Sequence, residues 1–385
     1  MTLSDIPQDS ALSYWCRQYQ YTEVPANFLV TIGLSCLGLM LGREVWVTHL
    51  SESTRIYPNL SVLAIGHSGC GKDTVINFGN RYIHDMGKGD LQIGGRTIEG
   101  MYQQLILRGD PAIGYLPIGE LTSVVGTKDY QGGIVQGLTD LMSGNAVVNV
   151  STKSDPKAVI RNPTLTVHAG STIDWLHKAM PDGSLEGGFI GRFLLAIRAP
   201  DERINFHPMP AYEQSDIEQR QKLRDYCKIA YAMTHRMIAG SRHRQNILVL
   251  EDAYEYYANW YHNRFGYFSK AVMPYANRCR DTVLKIALIS AMSRHHWAWI
   301  DRADIQLGIT LLHDIASKID RVVLLPTREA QCGEAIKAVL PASRSAIIAA
   351  VKSRYYWREI ESALHLLEDS HEVIRKGEQF VRTAQ

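Results

Sequence analysis

The sequence predicts a layered α/β domain, then a helical region, then a small tail of helices and a hairpin. Three observations carry this. Between residues 58 and 210, short apolar runs alternate with segments of helical period. From Tyr212 to about Leu325 the period is helical throughout. Beyond Pro326, two short amphipathic segments precede an alternating stretch folded about Lys376-Gly377. The expected divisions are an N-terminal helical segment, 1–57, packing on the core; the core, 58–210; a helical lid, 211–326; and the tail, 327–385.

Taken in order, LSYWCRQYQ reads as a short helix, and the uncharged run Phe28 to Gly42 reads as a buried one. That run is shorter than the roughly 18–20 residues that span a bilayer and contains three glycines. EVWVTHL is a strand. Leu60 to Ile65 is a buried strand that enters a glycine-rich stretch, and DTVINFGNRYIHDM after it places Val75, Ile76, Tyr82 and Ile83 on one helical face. A helix over 97–109 has Thr97 as its N-cap. Strands are expected at 112–120, 145–153 and 162–172, and a helix at 131–144. In the later region DIEQRQKLRDYCKIAYAMTHRMIAG, LEDAYEYYANWYHNRFGYFSKAV and DTVLKIALISAMSRHHW are helical. The tail's SRSAIIAAVKS and YWREIESALHLLEDS, followed by HEVIRKGEQFVRTA, have the outline of a winged helix.

Composition excludes more than it selects. With 45% hydrophobic and 21% charged residues, the chain is an ordinary globular mix, and its formal charge of +2 gives no global field for nucleic acid. The 6 cysteines form no C-x-x-C pair, so neither a zinc site nor a disulfide frame is suggested and a reducing cytoplasm fits best. The N-terminus lacks the basic and apolar regions of a signal peptide. His295-His296 has no companions at metal-ligand spacing and reads as a helix end packed on the core.

The chemistry concentrates in GHSGCGKDT, 66–74, which matches G-x-x-x-x-G-K-[ST] except at its last position. Gly66, Gly69 and Gly71 allow a turn whose N–H groups, with those of Ser68 and Cys70, converge on phosphate at a helix N-terminus. Lys72 adds a point charge for the β- and γ-phosphates of ATP. The hydroxyl that holds Mg²⁺ is replaced by Asp73, with Thr74 next. Three readings follow. Asp73 binds Mg²⁺ directly, Thr74 supplies the hydroxyl, or metal binding is impaired. The strand YLPIGE ends in Gly119-Glu120: glycine stands where a metal-binding acid is usual, and Glu120 holds the water-orienting position. Asp73 is the replacement for that missing carboxylate, or both departures mark decay.

The succession PNLSVLAIGHSGCGKD, IGE, HAGSTIDWL, EGGFIGRFLLA and RDTVLKIAL resembles the DUF3987 proteins, P-loop ATPases of phages and mobile elements within the AAA+, superfamily-3-like helicase group. It covers roughly residues 25–325. The resemblance implies a three-layer P-loop core, an ATPase activity with ATP and Mg²⁺, and a ring, a hexamer. It implies that Ser171 or Thr172 senses the γ-phosphate and that Arg192 is an arginine finger acting on a neighbouring subunit. It also implies that Arg278 or Arg280 is a second sensor near the lid.

Nucleic acid would meet basic side chains beside aromatics in the tail, Arg354, Arg358 and Lys376 among them, and polar loops holding Lys128, Lys153 and Lys157. The first functional expectation is a cytoplasmic, helicase-like motor on single-stranded or forked DNA, working beside a primase, polymerase or nuclease. The second is a nucleotide-switched oligomer that loads or regulates a partner without unwinding. The third is a DNA-binding protein with a vestigial nucleotide fold. No membrane association is expected.

Overall fold

In the computed structural model the chain forms two units, Met1–Val323 and Leu324–Gln385. The structure describes residues 3–20, 22–48, 55–94, 97–125, 131–150, 158–173, 176, 188–199, 218, 221, 225, 245–268, 272–323, 328–369, 373–377 and 379–382. Of the expected helix over 216–240 only Glu218, Gln221 and Asp225 are among these residues, each helical, and the lysines 128, 153 and 157 lie outside them.

Helix α1 (Ala11–Tyr19) starts in a capping box: Ser10 and Ser13 each accept the other's backbone N–H. Helix α2 (Ala26–Leu41) is apolar on all sides and correspondingly buried, against α1 on one side and the sheet on the other. The short strands β1 (Val45–Thr48) and β2 (Arg55–Ile56) pair antiparallel. Strand β3 (Ser61–Ile65) leads into α3 (Lys72–Asp85), and α4 (Ile98–Ile106) is capped by Thr97 as expected. Strand β4 (Ile113–Ile118), helices α5 (Thr122–Val125) and α6 (Gln131–Met142), the hairpin β5 (Val147–Asn149) with β6 (Val159–Arg161), and strands β7 (Thr164–Ser171) and β8 (Phe193–Ile197) follow.

Four of these strands form one parallel sheet in the order β4-β7-β3-β8. Every residue of β3, β7 and β8 is buried, as a parallel sheet covered on both faces requires. FLLAI, the apolar run of β8, was not separately expected as a strand. It pairs along its whole length with β3. Because all four strands run the same way, Gly66, Gly119, Thr172 and Arg198 leave the sheet at its common carboxyl edge, where open α/β sheets place ligands.

A polar seam runs through this core. His168 on β7 bonds Tyr115 Oη at 3.1 Å through Nδ1 and Ser35 Oγ of α2 at 2.7 Å through Nε2. The imidazole is fully buried, and burial lowers its pKa to about 3, so the ring is neutral.

The helices Glu251–Asn263, Met273–Ser293 and Arg302–Val323 share a continuous hydrophobic core with the strands, so the expected core and lid are one compact unit. No helix among the described residues is long and apolar enough to cross a membrane.

The smaller unit has its own core, which includes Ile336, Ile347, Ile360, Leu364, Val373 and Phe380. Helices Arg328–Ala338, Arg344–Val351 and Trp357–Asp369 precede a hairpin, Val373–Lys376 with Gln379–Arg382, turning at Gly377 with φ 64°. A two-residue strand, Ala342–Ser343, adds to the hairpin's second strand and completes a three-stranded sheet.

Candidate functional site

The stretch 66–72 bends from β3 into α3 because Gly69 and Gly71 adopt φ of 77° and 89°, values that side chains resist. Gly66 N–H donates to Ser171 O at 3.2 Å, which ties the start of the turn to the end of β7. Gly71 is the N-cap of α3 and no side chain caps it, so the first turn presents its N–H groups outward. Lys72 is buried. Its ammonium donates to Gly66 O at 2.9 Å and His67 O at 2.8 Å, folded against the loop it follows.

A cleft of about 740 Å³ opens over this turn. Ser68, Gly69, Gly71 and Lys72 form its floor. Asp73 and Thr74 enter from the first turn of α3, Gly119 and Glu120 from the end of β4, and Thr172 from the end of β7. Segments remote in sequence that were expected to form one site thus meet in one cleft. The sheet order explains it: β7 lies between β3 and β4, so its end bridges the turn and Glu120.

Glu120 is half-buried, and its Oε1 is buried with no hydrogen-bond partner. Burial raises its pKa. The Ser171 hydroxyl, Lys72 and the Thr172 backbone oppose that rise, while Asp73 adds to it. Ser171 and Thr172, the alternatives expected for the phosphate sensor, therefore both favour the charged form of Glu120. Asp73 stands beside Gly119: a Cβ on residue 119 would lie 3.4 Å from Asp73 Oδ1.

Mg²⁺ takes hard oxygen donors, and Asp73, Thr74 and the partnerless Oε1 of Glu120 are such donors around one cleft. The residues fit the ion. They also leave three carboxylates, Glu23, Asp73 and Glu120, against one ammonium, Lys72.

Thr22, Glu23 and Val24 also line the cleft, and nothing in the sequence marked them. They belong to the connection between α1 and α2, and only tertiary packing brings them here. A Cβ on Gly71 would touch Val24 Cγ2 at 3.4 Å.

The expected arginines lie elsewhere. Arg192 donates to Ser143 Oγ at 2.8 Å and Gly188 O at 2.6 Å. Arg278 crosses the same turn: a Cβ on Gly188 would lie 3.1 Å from Arg278 Cζ and 3.2 Å from Arg192 Nη1. Two guanidiniums therefore stand side by side, and neither lines the cleft. Arg280 pairs with Asp281 at 3.2 Å and is not in the cleft either.

His296 does have acidic companions, contrary to its sequence spacing. Its Nδ1 lies 3.5 Å from Asp301 and 3.8 Å from Asp304. Arg294 donates to both acids, and the two acids cap the following helix by accepting each other's N–H. The cluster is a helix start neutralised by an arginine.

In the smaller unit Arg354 and Arg358 are exposed beside Tyr356 and Trp357, which are 75% and 55% exposed. Lys376 ends the first strand of the hairpin.

No protein-family model matches the chain. No curated protein is significantly similar to it.

Proposed function

We propose that this chain is a P-loop ATPase of the helicase type, with a C-terminal winged helix that contacts DNA. One observation carries the reading. A glycine-rich turn, an acid with a free buried oxygen and a polar strand end, each from a different parallel strand, line one cleft. The N–H groups of the turn and of α3, with Lys72, bind the phosphates of ATP. Asp73, Thr74 and Glu120 would hold Mg²⁺, which would supply charge neutralisation at the phosphate oxygens. Glu120 orients the attacking water, and a raised pKa suits a group that shares its proton. Arg192 reaches the terminal phosphate of a neighbouring subunit, so the protein works as an oligomer, a ring. The helix order and hairpin of residues 328–382 fit a winged helix, and exposed Tyr356 and Trp357 beside Arg354 and Arg358 suit stacking and phosphate contact with DNA.

A second reading has an observation of its own. Lys72 is folded onto its own loop and shares the cleft with three carboxylates, which suits slow hydrolysis and a nucleotide-gated assembly that recruits another enzyme. Mg²⁺-dependent ATP hydrolysis, with and without DNA, separates the two. The motor requires DNA-stimulated turnover in wild type, lost in Lys72→Ala. No turnover, with tight ATP binding that drives assembly, overturns the motor and leaves the switch. Absence of ATP binding overturns both.

A further inference from the structure

The geometry points to Glu23 as the residue that reads the sugar of the bound nucleotide, accepting hydrogen bonds from the ribose hydroxyls. This rests on the cleft binding a nucleotide. The turn and Lys72 account for the phosphates, and Asp73, Thr74, Glu120 and Thr172, with Gly119 between them, for the metal and the water. What remains of the lining is the wall Thr22–Val24. A nucleoside attached to the phosphates must lie against it.

That wall is built in place. Tyr19 stacks on Phe78 of α3 with ring centroids 4.0 Å apart. The Thr22 hydroxyl donates to Tyr19 O at 2.7 Å, and Asn27 Nδ2 donates to Ile197 O at 2.7 Å. Val24 is buried against Gly71. Glu23 lies between these anchors with its side chain exposed at the cleft. The contact of Val24 with Gly71 sets the wall at the start of α3, so the sugar, which is covalently next to the phosphates, comes within reach of position 23 before the base does.

The chemistry selects the hydroxyls. A carboxylate has acceptors only, and vicinal hydroxyls offer two donors. Phosphate would be repelled, and the edges of adenine present donors and acceptors together. Charge-assisted bonds of this kind are the strong ones, and a carboxylate reading a ribose hydroxyl recurs in dinucleotide sites. The site therefore prefers ribonucleotides over deoxyribonucleotides.

The test is binding of ATP, 2′-deoxy-ATP and inorganic tripolyphosphate, each with Mg²⁺, to wild type and Glu23→Ala. The expected result is about tenfold tighter binding of ATP than of 2′-deoxy-ATP in wild type, the scale of one charged hydrogen bond. In Glu23→Ala, ATP weakens by at least about tenfold and binds no tighter than 2′-deoxy-ATP does to the same variant, while tripolyphosphate changes less than about twofold. The inference is overturned if wild type does not discriminate, if discrimination survives in the variant, or if tripolyphosphate loses as much as ATP. If neither ATP nor tripolyphosphate binds wild type, the nucleotide reading fails and takes this inference with it. Glu23 is exposed, so the variant keeps the fold.

Discussion

Asp73 and Gly119 face each other across the cleft mouth, with Asp73 Oδ1 3.4 Å from where a side chain at position 119 would begin. One carboxylate therefore stands on the helix where a P-loop site of the expected kind carries one on the strand. The arrangement predicts compensation. Asp73→Thr should lower Mg²⁺-dependent hydrolysis on the order of 100-fold, the scale of losing one charge-stabilising group. Gly119→Asp alone should also be impaired, because two carboxylates would then meet at van der Waals distance. The double variant should recover most of the loss. Steady-state rates for the four proteins form a double-mutant cycle, and additive losses would show that the two positions do not share a metal.

Glu23, Asp73 and Glu120 against Lys72 make the lining net negative before any ligand arrives. A triphosphate adds negative charge, so ATP should enter as its Mg²⁺ complex. Chelating the metal should weaken ATP binding by at least about tenfold, the effect of one uncompensated charge near a protein surface. Asp73→Asn should narrow that gap by strengthening metal-free binding. Fluorescent-nucleotide titration with and without chelator reads both. A gap unchanged in Asp73→Asn would place the metal on other groups.

How much was legible follows from the physics of each element. Strands β3, β4 and β7 could be read because each is a short run rich in apolar and β-branched residues, without charge, that ends in glycine or small polar residues. The turn at 66–72 could be read because its positive φ values at Gly69 and Gly71 favour glycine at those positions. The wall at Thr22–Val24 could not, since its place depends on Tyr19 meeting Phe78 and on Val24 meeting Gly71, contacts with no sequence period. The pairing of Arg192 with Arg278 was hidden for the same reason. Strands of two residues, such as Leu248–Val249 and Trp299–Ile300, are too short to carry an alternation.

His168 predicts an acid-sensitive core. Its folded pKa of about 3 lies below the ordinary 6.5, because burial excludes the charged ring. The folded state then binds fewer protons between these values. Stability is complete above pH 6.5 and declines as pH falls toward 3. At pH 5 the loss is about 2 kcal/mol, from 1.4 kcal/mol per pH interval. Burial also lowers the pKa of His295 and His313, which act in the same direction. His168→Gln should therefore remove only part of the slope. Urea midpoints at pH 7 and pH 5 for both proteins isolate that part, and equal slopes would show that the imidazole is protonated inside the fold.

Arg192 makes the strongest demand on assembly. It is partly buried, bonded to Ser143 and Gly188, and outside the lining of its own cleft. In the proposed role of an arginine finger, Arg192 would act on the phosphate of another subunit. Arg192→Ala should bind ATP as wild type does and hydrolyse it at least about 1,000-fold more slowly, the usual contribution of an arginine finger. Lys72→Ala should be inactive for the opposite reason. Mixed together, the two should recover activity, because the intact loop of one meets the intact Arg192 of the other. Arg278, whose guanidinium reaches from the helix Met273–Ser293 to stand beside Arg192, should behave alike in the mixture. Mixtures as inactive as their components would confine both arginines to their own chain and remove the reason for a ring.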